Sequence, residues 1–301
     1  MSSGTVADVP VLNAVDEEGR PPSAWRTILG SIEGKIGVVL GALMLGIILF
    51  GRFFAPYPPD ELGVGPPTAL PSPEHLFGTD NLGRDVFSRF LYGGDTILLV
   101  PLAAVLIAFV VGGGLGMLGA YARGPVDSAI ARTFDLLLTL PPLLLVLVLI
   151  AGLGTSTIVL VVTVALVFLP RMGRVVRGAT QAVVTNDYVA AAQARGERTH
   201  AILVREVLPN IAAPTIADFA LRITYAIIFV ATLNFLGLGA QPPEPDWGLM
   251  VAESRNFLSV QPWAALAPAF GIAALSVSFN LIADALTRHL TRESARGVVP
   301  L

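Results

Sequence analysis

The sequence contains no cysteine and only one lysine, Lys35, in 301 residues. Without cysteine the chain forms no disulfide, binds no metal through thiolates and offers no cysteine nucleophile. Charged residues are also scarce: they make up 14% of the chain, whereas a soluble domain carries about 25%. Hydrophobic residues make up 54%, and the mean hydropathy is +0.72. This composition indicates that most of the surface does not face water.

Motifs for metals, phosphates and nucleic acids are also lacking. His75, His200 and His289 are too far apart in sequence to show metal-ligand spacing, so no metal site is expected. Around the lone lysine, Gly30–Ile36 has glycines spaced one residue short of a P-loop, and Ile36 replaces the Ser or Thr. The net charge of −3 gives no indication of a nucleic-acid partner. We therefore expect no ATP hydrolysis, and no other enzyme activity, from this chain by itself.

Six apolar runs are candidates for membrane helices, since the hydrocarbon core takes about 20 residues per helix. They are approximately Ile36–Phe54, Thr96–Tyr121, Phe134–Leu153, Ile158–Leu169, Ile216–Leu236 and Trp263–Leu286. A lone strand in lipid would leave its backbone groups unpaired, so each run is predicted to be helical. The predicted fold class is an all-α integral membrane protein with six transmembrane helices. The second run contains Gly112, Gly113, Gly114 and Gly116, which should permit close helix packing.

The basic residues predict an orientation. If the N-terminus is cytoplasmic, fourteen basic residues fall on the inside, and only Arg84, Arg89 and Arg255 fall outside. Both termini are therefore expected in the cytoplasm of a multi-pass plasma-membrane protein. The first 25 residues are polar and acidic, so no cleavable signal peptide is expected. The predicted segments are a cytoplasmic tail (1–33), a first helix (34–54), an extracytoplasmic loop (55–95), a five-helix core (96–287) that includes a cytoplasmic loop (171–214), and a second tail (288–301).

Within the apolar runs, Asp218 and Arg222 are the only charges that lie clearly inside a helix. They are four residues apart, so they share one helix face and are expected to pair. Two interpretations remain open: a structural ion pair shielded inside the bundle, or an element of a pore or gate.

The internal basic loop predicts a helical hairpin. Thr185 or Asn186 would cap a first helix, and Gly196 fits the left-handed residue that ends it. Thr199 would cap a second helix that stops near Pro209. On pattern alone this segment is interpreted as an amphipathic hairpin lying on the membrane, because basic helices often do so.

Three segments carry a resemblance to a known family. The hairpin sequence, from Asp187 to Asn210, resembles the cytoplasmic EAA loop of ABC importer permeases, with Ala190 where that family usually has Glu. His75–Arg89 reads HLFGTDNLGRDVFSR, and Asn234–Gly248 reads NFLGLGAQPPEPDWG. Both are similar to signatures of the C-type permease of dipeptide, oligopeptide and nickel importers, although Asn234 replaces the usual Ser. The resemblance covers roughly residues 34–287.

The resemblance implies a type I importer built from several subunits. This chain would pair with a second, homologous permease, two cytoplasmic ATPase subunits and an extracytoplasmic substrate-binding protein, within membrane lipid. ATP and Mg²⁺ would be bound by the ATPase subunits, so no cofactor is expected in this chain. The residues implied in ATPase coupling are Tyr188, Ala191, Ala192, Gly196, Ile202, Leu208 and Pro209. Those implied to face the binding protein are Gly78, Thr79, Asp80, Gly83, Arg84, Asp85, Pro242, Pro243 and Trp247.

The first signature also has a purely structural interpretation, because Gly and Asp favour hydrogen-bonded turns. Dipeptides or oligopeptides are the expected substrates, and nickel chelates, haem or another small solute remain alternatives. A membrane enzyme would need catalytic residues inside the bilayer, and a secondary transporter would be expected to show internal repeats with broken helices; the sequence shows neither.

Overall fold

The computed structural model describes the backbone of residues 28–297 and the side chains of residues 28–288. Within that part of the chain the structure is helical and has no strand; an isolated antiparallel bridge joins Thr79 to Asp85. The predicted all-α class is confirmed. Of the two predicted tails, residues 1–27 and 298–301 lie outside the described range, and the last helix continues to Gly297.

The helices are numbered here in chain order. They are α1 (Ile32–Phe50), α2 (Val86–Tyr92), α3 (Asp95–Ile107), α4 (Gly114–Ala122), α5 (Gly124–Thr139), α6 (Pro142–Leu153), α7 (Thr157–Val183), α8 (Asp187–Ala194), α9 (Thr199–Ile202), α10 (Leu208–Phe235), α11 (Trp247–Ser254) and α12 (Trp263–Gly297). Short 3-10 turns follow α1 and α11, at Gly51–Phe54 and Arg255–Phe257. π-helical turns occupy Ala108–Gly113 and Leu203–Val207.

Five stretches are long and apolar enough to cross a membrane. They are Ile32–Phe54, Val86–Ala122, Thr157–Val183, Thr199–Phe235 and Trp263–Arg288. The pair α5 and α6 passes the same test jointly, although its two helices meet at 89°. Counted as one broken span, this pair completes the six predicted crossings.

The third predicted run is therefore not a single helix. Helix α5 ends at Thr139, Leu140 is extended (φ −79°, ψ 128°), and α6 starts at Pro142. A residue before proline is pushed out of the α region, and proline itself has no N–H to donate. The Pro141-Pro142 pair therefore breaks the run and turns the chain.

The predicted loop 171–214 is also different in the structure. Helix α7 continues through Pro170 to Val183, so the first part of that segment extends the fourth span. At the other end, the chain stays helical from Thr199 to Phe235, instead of stopping near Pro209. Pro209 lies in the first turn of α10, and the π turn before it bonds the Leu208 N–H to the Leu203 carbonyl. Proline removes one N–H donor from this continuous helix, and the π turn directly before it shifts the local bonding pattern, so the helix does not end there.

Small residues bring two helices of the core together. A Cβ built on Gly112 would lie 2.4 Å from the Leu169 carbonyl oxygen, and one on Gly116 would lie 2.2 Å from that of Gly173. These contacts place the π turn and α4 directly against the backbone of α7. The expectation of close packing is confirmed for Gly112 and Gly116, whereas Gly114 faces open space.

Candidate functional site

The hairpin formed by α8 and α9 ends its first helix as the sequence predicts. Gly196 has φ of +73°. Its N–H donates to the Gln193 carbonyl at 2.9 Å, and the Glu197 N–H donates to the Ala192 carbonyl at 3.3 Å. This pair of bonds defines a Schellman motif, which satisfies the last carbonyls of α8 and reverses the chain.

The predicted caps are only partly right. Asn186 occupies the N-cap position of α8 but makes no capping bond through its side chain; its carbonyl accepts from the N–H groups of Val189 and Ala190. The N-cap of α9 is Arg198, so Thr199 is the first helical residue and not the cap. The connection between Gly196 and α9 is short, and Arg198 takes the cap position. Thr199 therefore lies in the first turn of α9.

One face of the hairpin is packed against the bundle. Val189, Ala192, Ile202 and Val207 are fully buried, together with Ile211 at the start of α10. Val176 of α7 belongs to the same cluster. The hairpin is therefore fixed to α7 and α10 together, which is stronger attachment than an amphipathic hairpin lying on lipid would need.

The opposite face is open. Of the residues assigned to ATPase coupling, Ala191, Gly196, Leu208 and Pro209 are exposed and Tyr188 is half-buried. Ala192 and Ile202 belong to the buried face and hold the hairpin in place. The coupling set thus divides into residues that present a surface and residues that anchor it.

At the opposite end of the bundle, the first signature forms a buried ion cluster. The Arg84 Nε donates to the Asp80 carboxylate at 2.6 Å, and its Nη2 donates to Glu253 at 2.9 Å. The Arg89 Nη2 donates to the same Glu253 oxygen at 3.0 Å. Both arginines are no more than 2% exposed. We call these four residues the loop ion cluster; it ties the segment between α1 and α2 to α11.

A second set of polar contacts, made by Asp85 and Gln261, holds the same segment between α1 and α2. The Asp85 carboxylate caps α2 by accepting from the Ser88 N–H at 2.7 Å, and its other oxygen lies 3.0 Å from His75 Nδ1. Gln261 donates to the Phe77 carbonyl at 2.7 Å. Gly78 lies beside Gln261 with φ of +72°, where a Cβ would be 2.3 Å from the Gln261 Nε2. Turn geometry and close approach both require glycine at this position.

Trp247, in the second signature, packs against Phe90 of α2. Its ring stacks on Phe90 at 5.1 Å between centroids, and its Nε1 donates to the Phe90 carbonyl at 2.8 Å. Asp246 caps α11 through the Leu249 N–H and accepts from Asn234 at 2.8 Å. Burial raises the pKa of Asp246 to about 6, although these hydrogen bonds oppose the shift. The two signatures therefore meet in one folded unit.

This packing decides which signature side chains are accessible. Pro242 and Pro243 are exposed. The side chains of Thr79, Asp80, Arg84, Asp85 and Trp247 are buried, as are Gly78 and Gly83. The buried side chains shape the loop but do not form its surface. A partner protein would contact the exposed residues next to them.

Asp218 and Arg222 form a salt bridge of 2.9 Å along one face of α10, and their side chains are 17% and 20% exposed. Arg222 also lines a cavity of about 390 Å³ between α7 and α10, to which Pro142 at the start of α6 contributes. A second cavity of about 500 Å³ lies between α10, α11 and α12. Ile228 and Thr232 line both, so the two cavities adjoin along α10.

Sequence reasoning missed three polar residues that the structure places centrally. Glu253, 169 positions from Arg84, gave no local signal beyond being a lone acid in an apolar stretch. Asp246 stood inside the second signature without an assigned role. The sequence predicts Arg171 at the start of the cytoplasmic loop, whereas in the structure it lines the cavity beside Arg222. Among the described residues there is no group of three or more His, Asp or Glu side chains that could hold a metal ion.

Comparison with known proteins agrees with this arrangement. Residues 112–293 match the family described as "Binding-protein-dependent transport system inner membrane component". The chain is 35% identical over 268 residues to a dipeptide transport system permease of Alkalihalophilus pseudofirmus, covering 88% of each protein. It is 34% identical over 289 residues to a glutathione transport system permease of Pectobacterium atrosepticum, covering 93% of this chain and 94% of the relative.

A third relative is a di/tripeptide transport system permease of Pseudomonas aeruginosa, 35% identical over 275 residues, with 88% of this chain and 91% of that one covered. Among solved structures, a chain of the MetNI methionine ABC transporter in an inward-facing conformation superposes with a TM-score of 0.55 and 15% identity. The match covers 66% of this chain and 95% of that one, and it supports the fold alone. The chain belongs to the family of inner-membrane components of binding-protein-dependent transport systems, a family of multi-pass permeases that do not themselves hydrolyse ATP.

Proposed function

We propose that this chain is one of two permease subunits of an ABC importer that takes up di- and oligopeptides delivered by an extracytoplasmic binding protein. The observation that carries the proposal is the attachment of the α8–α9 hairpin to the two helices that line the cavity. Ile202 and Val189 lock the hairpin against α7 and α10, and the same two helices form the walls around Arg222. A movement of the hairpin would therefore also move α7 and α10, the helices that line the cavity.

In this proposal the exposed face of the hairpin, with Ala191, Gly196, Leu208 and Pro209, docks on an ATPase subunit in the cytoplasm. ATP binding and hydrolysis in that partner supply the energy, so no titrating residue of this chain has to drive transport. The end of the bundle with Pro242 and Pro243 faces the binding protein, and both termini lie in the cytoplasm. The loop ion cluster keeps that end rigid.

The peptide substrate follows from the relatives, whose printed names include dipeptide, di/tripeptide and glutathione, itself a tripeptide. The second permease would close the open side of α10, where Tyr225 and Ile228 are at least half exposed in the isolated chain. The two adjoining cavities would then become one half of a continuous path.

The test is reconstitution of the chain with the permease, ATPase and binding-protein subunits that co-purify with it. Proteoliposomes should accumulate labelled trialanine only when ATP and the binding protein are both supplied. The control replaces ATP with a non-hydrolysable analogue, which should stop uptake. Uptake without ATP, or hydrolysis stimulated by a non-peptide solute but by no peptide, would contradict the proposal.

A further inference from the structure

Helix α7 carries three arginines at three-residue spacing, Arg171, Arg174 and Arg177. Two of them have a carboxylate partner on α5. Arg177 makes a two-bond pair with Asp127 at 2.6 and 2.7 Å, and Arg174 pairs with Asp135. The first arginine of the row is different: among the described residues, Arg171 has no acidic partner and donates only to the Val167 carbonyl at 2.8 Å.

Arg171 instead lines the cavity that it shares with Arg222. Arg222 directs its Nε and Nη2 to Asp218, at 2.9 to 3.2 Å. That carboxylate balances one of the two arginines, so the cavity keeps an excess of one positive charge. Like charges facing the same space repel each other and favour an anion between them.

Both arginines lie deep in the bundle. Arg171 is fourteen residues from the first residue of α7, and Arg222 is thirteen residues from the last residue of α10. At 1.5 Å per residue, each is about 20 Å from that end of its helix. Since a bilayer core is about 30 Å thick, this distance falls inside the core, about 10 Å from its opposite face. An unbalanced charge at such depth is costly unless it faces water or a ligand, and it therefore marks a functional site.

The cavity suits a small anionic solute. Its volume of about 390 Å³ lies within the range of roughly 300–1,000 Å³ that is usual for small-molecule sites. Phe168, Phe229 and Ile228 give the cavity apolar walls beside the two arginines. Arginine matches a carboxylate through two parallel N–H donors, a geometry that lysine cannot reproduce.

We infer that Arg171, with Arg222, forms a transit site for the C-terminal carboxylate of the peptide on its way through the membrane. The inference rests on the proposed function. A lipid phosphate is the other source of an anion, and the two experiments below distinguish it from the peptide carboxylate. Because the cavity lies between α7 and α10, which carry the hairpin, the site would open and close with the movement of those helices.

The first experiment needs no partner subunit and uses the absence of native cysteine. Tyr225→Cys places a thiol one turn from Arg222, and its reaction rates with anionic sulfonatoethyl and cationic trimethylammonioethyl methanethiosulfonates are compared. The anionic-to-cationic rate ratio should fall on the order of fivefold when Arg171→Gln is added, because one unit of positive charge is lost. Val277→Cys, in the apolar neighbouring cavity, should show no change. An unchanged ratio at Tyr225→Cys would overturn the site.

The second experiment compares uptake of trialanine and its C-terminal amide by the complete transporter. Any preference of the binding protein is the same in every variant, so only a change in the acid-to-amide ratio reports on this chain. Arg171→Gln should lower that ratio about fivefold, whereas Arg171→Lys should retain at least roughly half of it because the charge stays. Arg174→Gln, which loses only an exposed pair, should leave the ratio unchanged.

The outcomes of these experiments distinguish the inferred transit site from the proposed function of peptide uptake. Equal loss of both peptides in Arg171→Gln would assign the residue a merely structural role and overturn the inference. An unchanged acid-to-amide ratio, despite a changed reagent ratio at Tyr225→Cys, would mean that the cavity holds another anion, such as a lipid phosphate, and would also overturn it. Absence of any peptide uptake by the wild type would refute the proposed function, while the thiol-reaction rates would still decide whether the cavity prefers anions.

Discussion

At the scale of single residues, Glu253 is the acid that both arginines of the loop ion cluster share. Replacing it with Ala would leave Arg84 and Arg89 buried with Asp80 as the one salt-bridge partner that remains to them among the described residues. Breaking a buried ion pair from one side typically costs about 3–5 kcal/mol. We expect Glu253→Ala to lower the thermal unfolding midpoint of the purified chain clearly, and Glu253→Gln to lower it less because hydrogen bonding survives.

Glu244 offers a matched control for that experiment. It lies in the same extramembrane region but is exposed, and substitutions at such sites usually change stability by no more than about 0.5 kcal/mol. If Glu253→Ala unfolded at the same temperature as Glu244→Ala, the cluster would not hold α11 to the loop.

Asp246 predicts a pH dependence of stability. Its pKa is raised from 3.8 to about 6 by burial, so between those two values the folded chain binds more protons at this site than the unfolded chain. The stability contribution is therefore full below pH 3.8 and is lost as pH rises through about 6. Asp246→Asn removes this titration, and the difference in unfolding midpoint between variant and wild type should change between those pH values. An identical pH profile for both proteins would contradict the assignment.

The residue types in these sites could be predicted from the sequence, but their partners could not. The motif containing Asp80, Arg84 and Arg89 is visible locally, whereas Glu253 is reached only through the fold. Asn234 departs from the usual Ser of the second signature. In the structure its amide donates to Asp246 and its oxygen accepts from the Ala240 N–H at 3.2 Å. Long-range pairs of this kind carry no periodic signal.

At the scale of elements, the sequence predicts helices well and their ends less well. The sequence predicts that the fourth apolar run ends at Leu169, because Pro170 and Arg171 follow. Packing of Gly173 and Val176 against the π turn and α4 keeps the chain helical to Val183. The break at Pro141 is the opposite case, since a continuous apolar pattern concealed two helices at 89°.

The α8–α9 hairpin gives the prediction that belongs to this scale. Gly196 has φ of +73° and no atom within 4 Å of a built Cβ, so a side chain there is opposed by backbone conformation and not by crowding. A β-branched residue should cost about 1–2 kcal/mol. We expect Gly196→Val to insert and fold, but to lose co-purifying ATPase or to leave its hydrolysis unresponsive to loaded binding protein.

Gly178 supplies the control for the hairpin. It lies within α7, is exposed, and has open space around its built Cβ without a positive φ. Gly178→Val should therefore retain coupled hydrolysis and transport. If Gly196→Val coupled as well as Gly178→Val, the hairpin would not transmit movement from the ATPase.

At the scale of the whole molecule, the six crossings and the all-α class could be predicted because lipid leaves few options for the backbone. The turns and contacts between the six crossings could not be predicted in the same way. The cavity beside Arg222 depends on the turn at Pro141, because Pro142 is one of its lining residues. The loop ion cluster and the hairpin close opposite ends of the same bundle, so binding-protein contact and ATPase contact would act on one rigid frame.

The last prediction tests the orientation of this frame, which rests on the distribution of arginines. Gln193 on α8 and Gln241 beside Pro242 are both exposed, and the chain has no native cysteine. In intact cells a membrane-impermeant maleimide should label Gln241→Cys and leave Gln193→Cys unlabelled, because only the first would face the outside. A permeant maleimide should label both, which controls for reactivity. Labelling of Gln193→Cys by the impermeant reagent would invert the topology, and the hairpin would then lie on the side without ATP.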